Sequence, residues 1–142
     1  MAATTSAVTA ASLGAWVLTC NPRLTDPARL RDEGVERWCV ASNYRSDLFA
    51  PGQPVLLWLT GTDRRWPRGL RGRGVVAGPA TPPGPDGRYV PLRLDVWDTS
   101  VDVVTLAAAG LGDLEVLRQP RIANPSFVTV GQWARLEPLL PR

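Results

Sequence analysis

Apolar residues fall in short blocks along this chain, and the spacing within each block predicts the element it forms. AWVLT at 15–19 and VLLWL at 55–59 are uninterrupted apolar runs of strand length. VERWCV at 35–40 and the stretch 70–77 are further strand candidates. From Tyr89 to Val96 the alternation is strict, with Val90, Leu92, Leu94 and Val96 on one face and Pro91, Arg93 and Asp95 on the other. Proline has no N–H to give a ladder, so Pro91 implies a sheet edge or a bulge. LEVL at 114–117 is the sixth strand candidate.

The predicted helices are short. Asp26 before Pro27 supplies an N-cap carboxylate and a proline at the first helical position, and Gly34 suits the far end. Another short helix spans 105–109. Thr129 and Gln132 have capping-box spacing, which predicts a closing helix to about Leu140. Pro51-Gly52-Gln53-Pro54 reads as a turn, and GPATPPGPDGR at 78–88 as a mobile surface connection. Six short strands and a few short helices predict an α+β fold: a strongly bent sheet or small barrel with helices packed outside. The helices are too few to cover both faces of a parallel sheet.

Composition narrows the class. A chain of 142 residues fits one domain, with 1–14 read as a flexible leader and 15–142 as the domain. A hydrophobic share of 44% and a charged share of 20% are those of a globular protein. No apolar run reaches the roughly 18 residues of a membrane span. The N-terminal stretch has neither the basic start nor the apolar centre of a secretory signal. The cytoplasm is the expected compartment, and no membrane partner is expected.

Histidine and lysine are absent, and all 16 basic residues are arginine. Imidazole catalysis and Schiff-base chemistry are thereby excluded. Cys20 and Cys39 cannot complete a tetrahedral zinc site on their own, so no metal or cofactor is expected. The expectation is a protein that binds without catalysing.

Charge changes the picture once it is located. Arg64, Arg65, Arg68, Arg71 and Arg73 lie within the ten residues RRWPRGLRGR, with no acid among them. The other 11 arginines face 13 acids, so the net charge of +3 has its source in this stretch. A localised arginine patch predicts contact with the phosphates of DNA or RNA, since the guanidinium fork binds phosphate and stacks on bases. The plainer alternative is a solvated loop.

The order of local signals resembles the EVE domain family. Trp16-Val17-Leu18-Thr19-Cys20-Asn21-Pro22 is similar to its opening strand. Trp38-Cys39-Val40-Ala41-Ser42-Asn43-Tyr44-Arg45 resembles its second-strand tryptophan and Asn-Tyr loop. Pro51-Gly52-Gln53-Pro54-Val55-Leu56-Leu57-Trp58 resembles its turn and third strand. Gly69-Leu70-Arg71-Gly72-Arg73-Gly74-Val75-Val76 and Asn124-Pro125-Ser126-Phe127-Val128-Thr129-Val130-Gly131-Gln132-Trp133 resemble its later strand and its closing segment. Gln53 stands where the family has an acid, and Thr19-Cys20 replaces the Lys-Ser of some members.

The resemblance covers about residues 15–140 and implies a PUA-like bent β-barrel related to YTH and ASCH domains. It also implies recognition of a flipped, modified base. Trp38 and Trp58 would wall the pocket, Asn43 and Tyr44 would form its rim, and Ser42 and Asn21 would help read the base edge. Stacking on an aromatic contributes about 1–3 kcal/mol per base, enough to offset extrusion from a duplex. Arg45, beside Tyr44, joins the 64–73 arginines as a backbone contact.

Plainer readings stand beside these. Trp16, Trp97 and Trp133 read as packing and Trp66 as part of an exposed loop, while Asn43 can serve simply as a turn residue. Two rival functions remain. One is a partner-binding module of a nuclease or methyltransferase in a restriction or modification system. The other is a small nucleoside amidohydrolase, whose ASCH-type mechanism needs the lysine this chain lacks.

Overall fold

The two uninterrupted apolar runs lie side by side in the interior of a sheet. In the computed structural model, which describes residues 7–61 and 63–141, β1 (Leu13–Cys20) pairs in parallel with β3 (Pro54–Leu59). Both strands are covered on both faces. Trp16, Leu18, Cys20, Val55, Leu57 and Leu59 enter one core, and Ala15, Val17, Leu56 and Trp58 enter a second. A strand buried on two sides has no polar face to alternate with, which is why these runs are continuous.

The remaining strands are β2 (Val35–Val40), β4 (Gly69–Val76), β5 (Arg88–Asp102) and β6 (Ser126–Thr129), and the sheet order is β2-β5-β4-β3-β1-β6. All pairings except β1 with β3 are antiparallel. The sheet curls around the first core, which takes Val35 and Val40 from one edge and Phe127 from the other. One backbone bond, Ala41 N to Asn124 O at 2.8 Å, links the two edges beyond the strand ends. Among the described residues no strand ladder joins β2 to β6, so where a bent sheet or small barrel was expected the sheet is mixed, six-stranded and not closed into a barrel.

Helix α1 (Pro27–Glu33) starts and stops where expected, with Asp26 capping Ala28 N and the Gly34 N–H reaching Leu30 O. Helices α2 (Val103–Ala108), α3 (Glu115–Arg118) and α4 (Val130–Leu136) cover the second core, and a 3-10 turn at Glu137–Leu139 follows α4. The capping box at Thr129 and Gln132 forms in full. The strand expected at 114–117 is corrected to helix α3. Leu114, Glu115 and Val116 are all buried, a pattern without the alternation of a one-sided strand, and the sixth strand is 126–129 instead.

Strand β5 is longer than its alternating stretch and changes faces midway. Val90, Leu92, Leu94 and Val96 face the first core, whereas Val101 faces the second. The switch is a bulge: Val96 and Val101 pair with Gly72 and Leu70, so five steps of β5 oppose two of β4. Pro91 lies at a second irregularity, opposite Arg37, on a central strand and not on an edge. The ordered fold also begins earlier than residue 15. Val8 is buried in the first core, while residues 1–6 of the expected leader lie outside the described residues. The 78–88 connection is tied back by Thr81 N to Tyr89 O at 2.7 Å and by Arg88 Nε to Thr81 O at 2.8 Å. No helix among the described residues is long and apolar enough to cross a membrane.

Candidate functional site

Because β1 and β3 run in parallel, they end together, Cys20 beside Leu59. The next residues, Asn21 and Thr60, stay adjacent through Thr60 N donating to Cys20 O at 2.9 Å. Gly61 then turns the chain with φ +94°, a left-handed conformation that favours glycine, and a Cβ there would point at Asn21 Oδ1, 3.6 Å away. Arg68, one residue before β4, and Pro120 and Arg121, after α3, complete the walls. The cleft, open to solvent, has a volume of about 430 Å³, with Trp58 in its lining.

The cleft chemistry is polar on one side and cationic on the other. Asn21 Oδ1 accepts from Arg23 N at 3.0 Å, which orients the amide and leaves its nitrogen as a donor. Thr60 adds a hydroxyl oxygen as an acceptor, its proton being given to Cys20 O at 3.4 Å. Arg68 and Arg121 are exposed, and neither makes an ion pair among the described residues. A flat ligand with a hydrogen-bonding edge and a negative group matches this set.

A second cleft, of about 320 Å³, is lined by Asn43, Arg45, Gln119, Ile122 and Ala123, so the segment 119–123 contributes residues to both. This segment is a strap anchored on both flanks. Arg45 is buried and binds Glu115, ahead of the strap, through two contacts of 2.7 and 2.9 Å. The same guanidinium donates to Pro125 O, beyond the strap, at 3.1 Å, and Ser126 Oγ donates to Glu115 Oε1 at 2.8 Å. Asn124 Oδ1 accepts from Thr19 N at 2.8 Å and Thr19 Oγ1 at 3.0 Å.

The residues expected to form one pocket are distributed by this geometry. Asn21, Trp58 and Arg68 meet at the first cleft, and Asn43 and Arg45 at the second. Trp38 and Trp58 do not face one another: Trp38 packs against the first core and Trp58, 1% exposed, belongs to the second, across the sheet. A strand's side chains alternate between faces, so the two indoles cannot wall one cage. Tyr44 is exposed, and its hydroxyl accepts from Val8 N at 2.9 Å. Asn43 caps the 3-10 turn Tyr44–Leu48, accepting from Arg45 N at 3.0 Å, and Ser42 lies exposed beside it.

The arginine stretch divides as well. Arg64, Arg65 and Arg68 are exposed, with Arg65 paired to Asp63 at 3.3 Å, a contact that lowers the Asp63 pKa. Arg71 is corrected from phosphate contact to structural residue. It is buried opposite the β5 bulge, donates to the freed carbonyls of Trp97 (2.9 Å) and Asp98, and stacks on Trp66 at 5.0 Å. Burial lowers its pKa. Trp66 accordingly packs against the first core and is not a fully exposed loop residue. Arg73 binds Glu137 at 3.1 Å. Arg45, sealed by Glu115, is likewise corrected from backbone contact to buried ion pair. Cys20 is buried with its pKa pushed up to about 11, so it stays a thiol, and Cys39 is free and exposed. Trp16, Trp97 and Trp133 pack in the cores as expected.

Thr60, Gly61, Pro120, Arg121 and Glu115 were not singled out in the sequence. Arg121 had the same signal as the arginine stretch, for residues 116–136 contain no acid. No family model matches the chain, and no curated protein does. Solved structures do share its fold. The protein PSPTO5229 from Pseudomonas syringae superposes with a TM-score of 0.64 at 17% identity, covering 87% of this chain and 97% of its own. A hypothetical protein from Leishmania major reaches 0.70 at 17% identity, covering 92% and 96%. Rpa0253 from Rhodopseudomonas palustris reaches 0.62 at 17% identity, covering 92% and 97%. At that identity the likeness concerns the fold alone.

Proposed function

We propose that this chain is a non-catalytic nucleic-acid-binding module that holds a base, modified bases included, in the cleft at the ends of β1 and β3. The observation that carries the reading is the convergence of Asn21, Thr60, Arg68 and Arg121 from four separated stretches onto one cleft over Trp58. Two exposed arginines with no acid partner among the described residues suit a phosphate, and the amide nitrogen and hydroxyl oxygen suit a base edge. The volume falls in the range of about 300–1,000 Å³ typical of small-ligand sites. Trp58 supplies an apolar floor in place of one wall of a cage. The curled six-stranded sheet and the ordered run of EVE-like motifs support a PUA-like assignment of the fold.

Binding of short labelled single strands, followed by fluorescence anisotropy across a salt series, tests this. Phosphate contacts from Arg64, Arg68 and Arg121 predict a slope of about −2 in log affinity against log salt. Absence of binding, or binding indifferent to salt, would refute the reading. Turnover of modified cytidines by the same protein would overturn its non-catalytic part.

A further inference from the structure

We infer that the two clefts accept two consecutive nucleotides of one single strand, a base in each, with the connecting phosphate passing over Arg121. The inference rests on the nucleic-acid reading above and adds the form of the ligand. Its basis is the strap. Pro120 and Arg121 line one cleft while Gln119, Ile122 and Ala123 line the other, so a single peptide segment is the wall they share.

The two sides differ in charge. Arg68 and Arg121 leave the first cleft cationic, whereas the guanidinium in the second, Arg45, is matched by Glu115 at 2.7 Å. The second cleft therefore offers little to a phosphate. It offers a base the Asn43 amide nitrogen, whose partner oxygen is already held by Arg45 N at 3.0 Å, and the apolar side chains of Ile122 and Ala123. Arg121 is exposed on the strap itself, between the two.

Thickness selects the strand. Neighbouring backbones in a sheet stand about 4.7–4.9 Å apart, a measure of one chain's thickness, so a one-chain wall exceeds the roughly 3.4 Å step between stacked nucleotides. Consecutive bases can straddle it only when unstacked, as in a single strand whose bases splay onto separate surfaces.

A length series decides the matter: a nucleoside monophosphate, a 5′-phosphorylated dinucleotide and the same dinucleotide lacking one base, each titrated against the whole chain. The dinucleotide should bind on the order of 100-fold more tightly than the monophosphate, because the second contact is intramolecular. Removing one base should abolish most of that gain. Ala123→Trp, at an exposed position, should fill the second cleft, and Asn43→Asp should keep the cap oxygen while removing the amide donor. Both variants should lose the gain yet bind the monophosphate as the parent does, with folding checked by circular dichroism. Equal affinity for the monophosphate and dinucleotide would overturn the two-cleft inference and leave the one-cleft reading standing. Failure of every length to bind would overturn both.

Discussion

Arg45 and Arg71 are 2% and 7% exposed, and each commits its guanidinium to the protein itself, one to Glu115 and the strap's far flank, the other to the carbonyls of the β5 bulge. Arg68 and Arg121 stand exposed at a cleft with no acid partner among the described residues. The side chain is the same, and the surroundings assign the duty. A buried arginine must be neutralised or fully hydrogen-bonded, so its binding capacity is used up inside. An exposed one without a partner keeps its fork for a ligand. An arginine count in the sequence therefore overstates the phosphate-binding surface by the arginines the fold consumes.

The comparison can be broken most forcefully at Glu115. Glu115→Ala leaves Arg45 charged and buried without its carboxylate, and should destabilise by about 3–5 kcal/mol in urea denaturation. Replacing Arg45 and Glu115 together by apolar residues should recover much of that loss, which a purely additive pair would not show. A smaller effect is expected at Arg71. Arg71→Ala strips the Trp97 and Asp98 carbonyls of their donor and should cost about 1–3 kcal/mol, while the salt slope of oligonucleotide binding stays as in the parent. A change in that slope would mean that Arg71 also reaches phosphate.

The mildest change in stability should come from Arg68→Ala with Arg121→Ala, within about 0.5 kcal/mol of the parent, as for surface positions generally. The same variant should flatten the salt slope by about 1.4, two contacts' worth on a single strand. If instead stability fell and the slope held, the two pairs of arginines would have exchanged roles.

What the amino-acid order determines alone here is local. The continuous runs at 15–19 and 55–59, the alternation from Tyr89 to Val96, the Asp26–Pro27 start and the Thr129–Gln132 box each specify their element through neighbours a few residues away. Those signals survive because periodicity and capping depend on short-range geometry. LEVL at 114–117 failed as a strand because burial of Glu115 depends on Arg45, 70 positions earlier. Whether Trp38 and Trp58 share a pocket depended on the face each takes in a curled sheet, a parity that only the strand pairings set. The cleft itself comes from β1 and β3 ending level, which follows from their parallel register. The same packing decided which arginines remain outside, since the partner that neutralises a charge is chosen by distance in space and not along the chain.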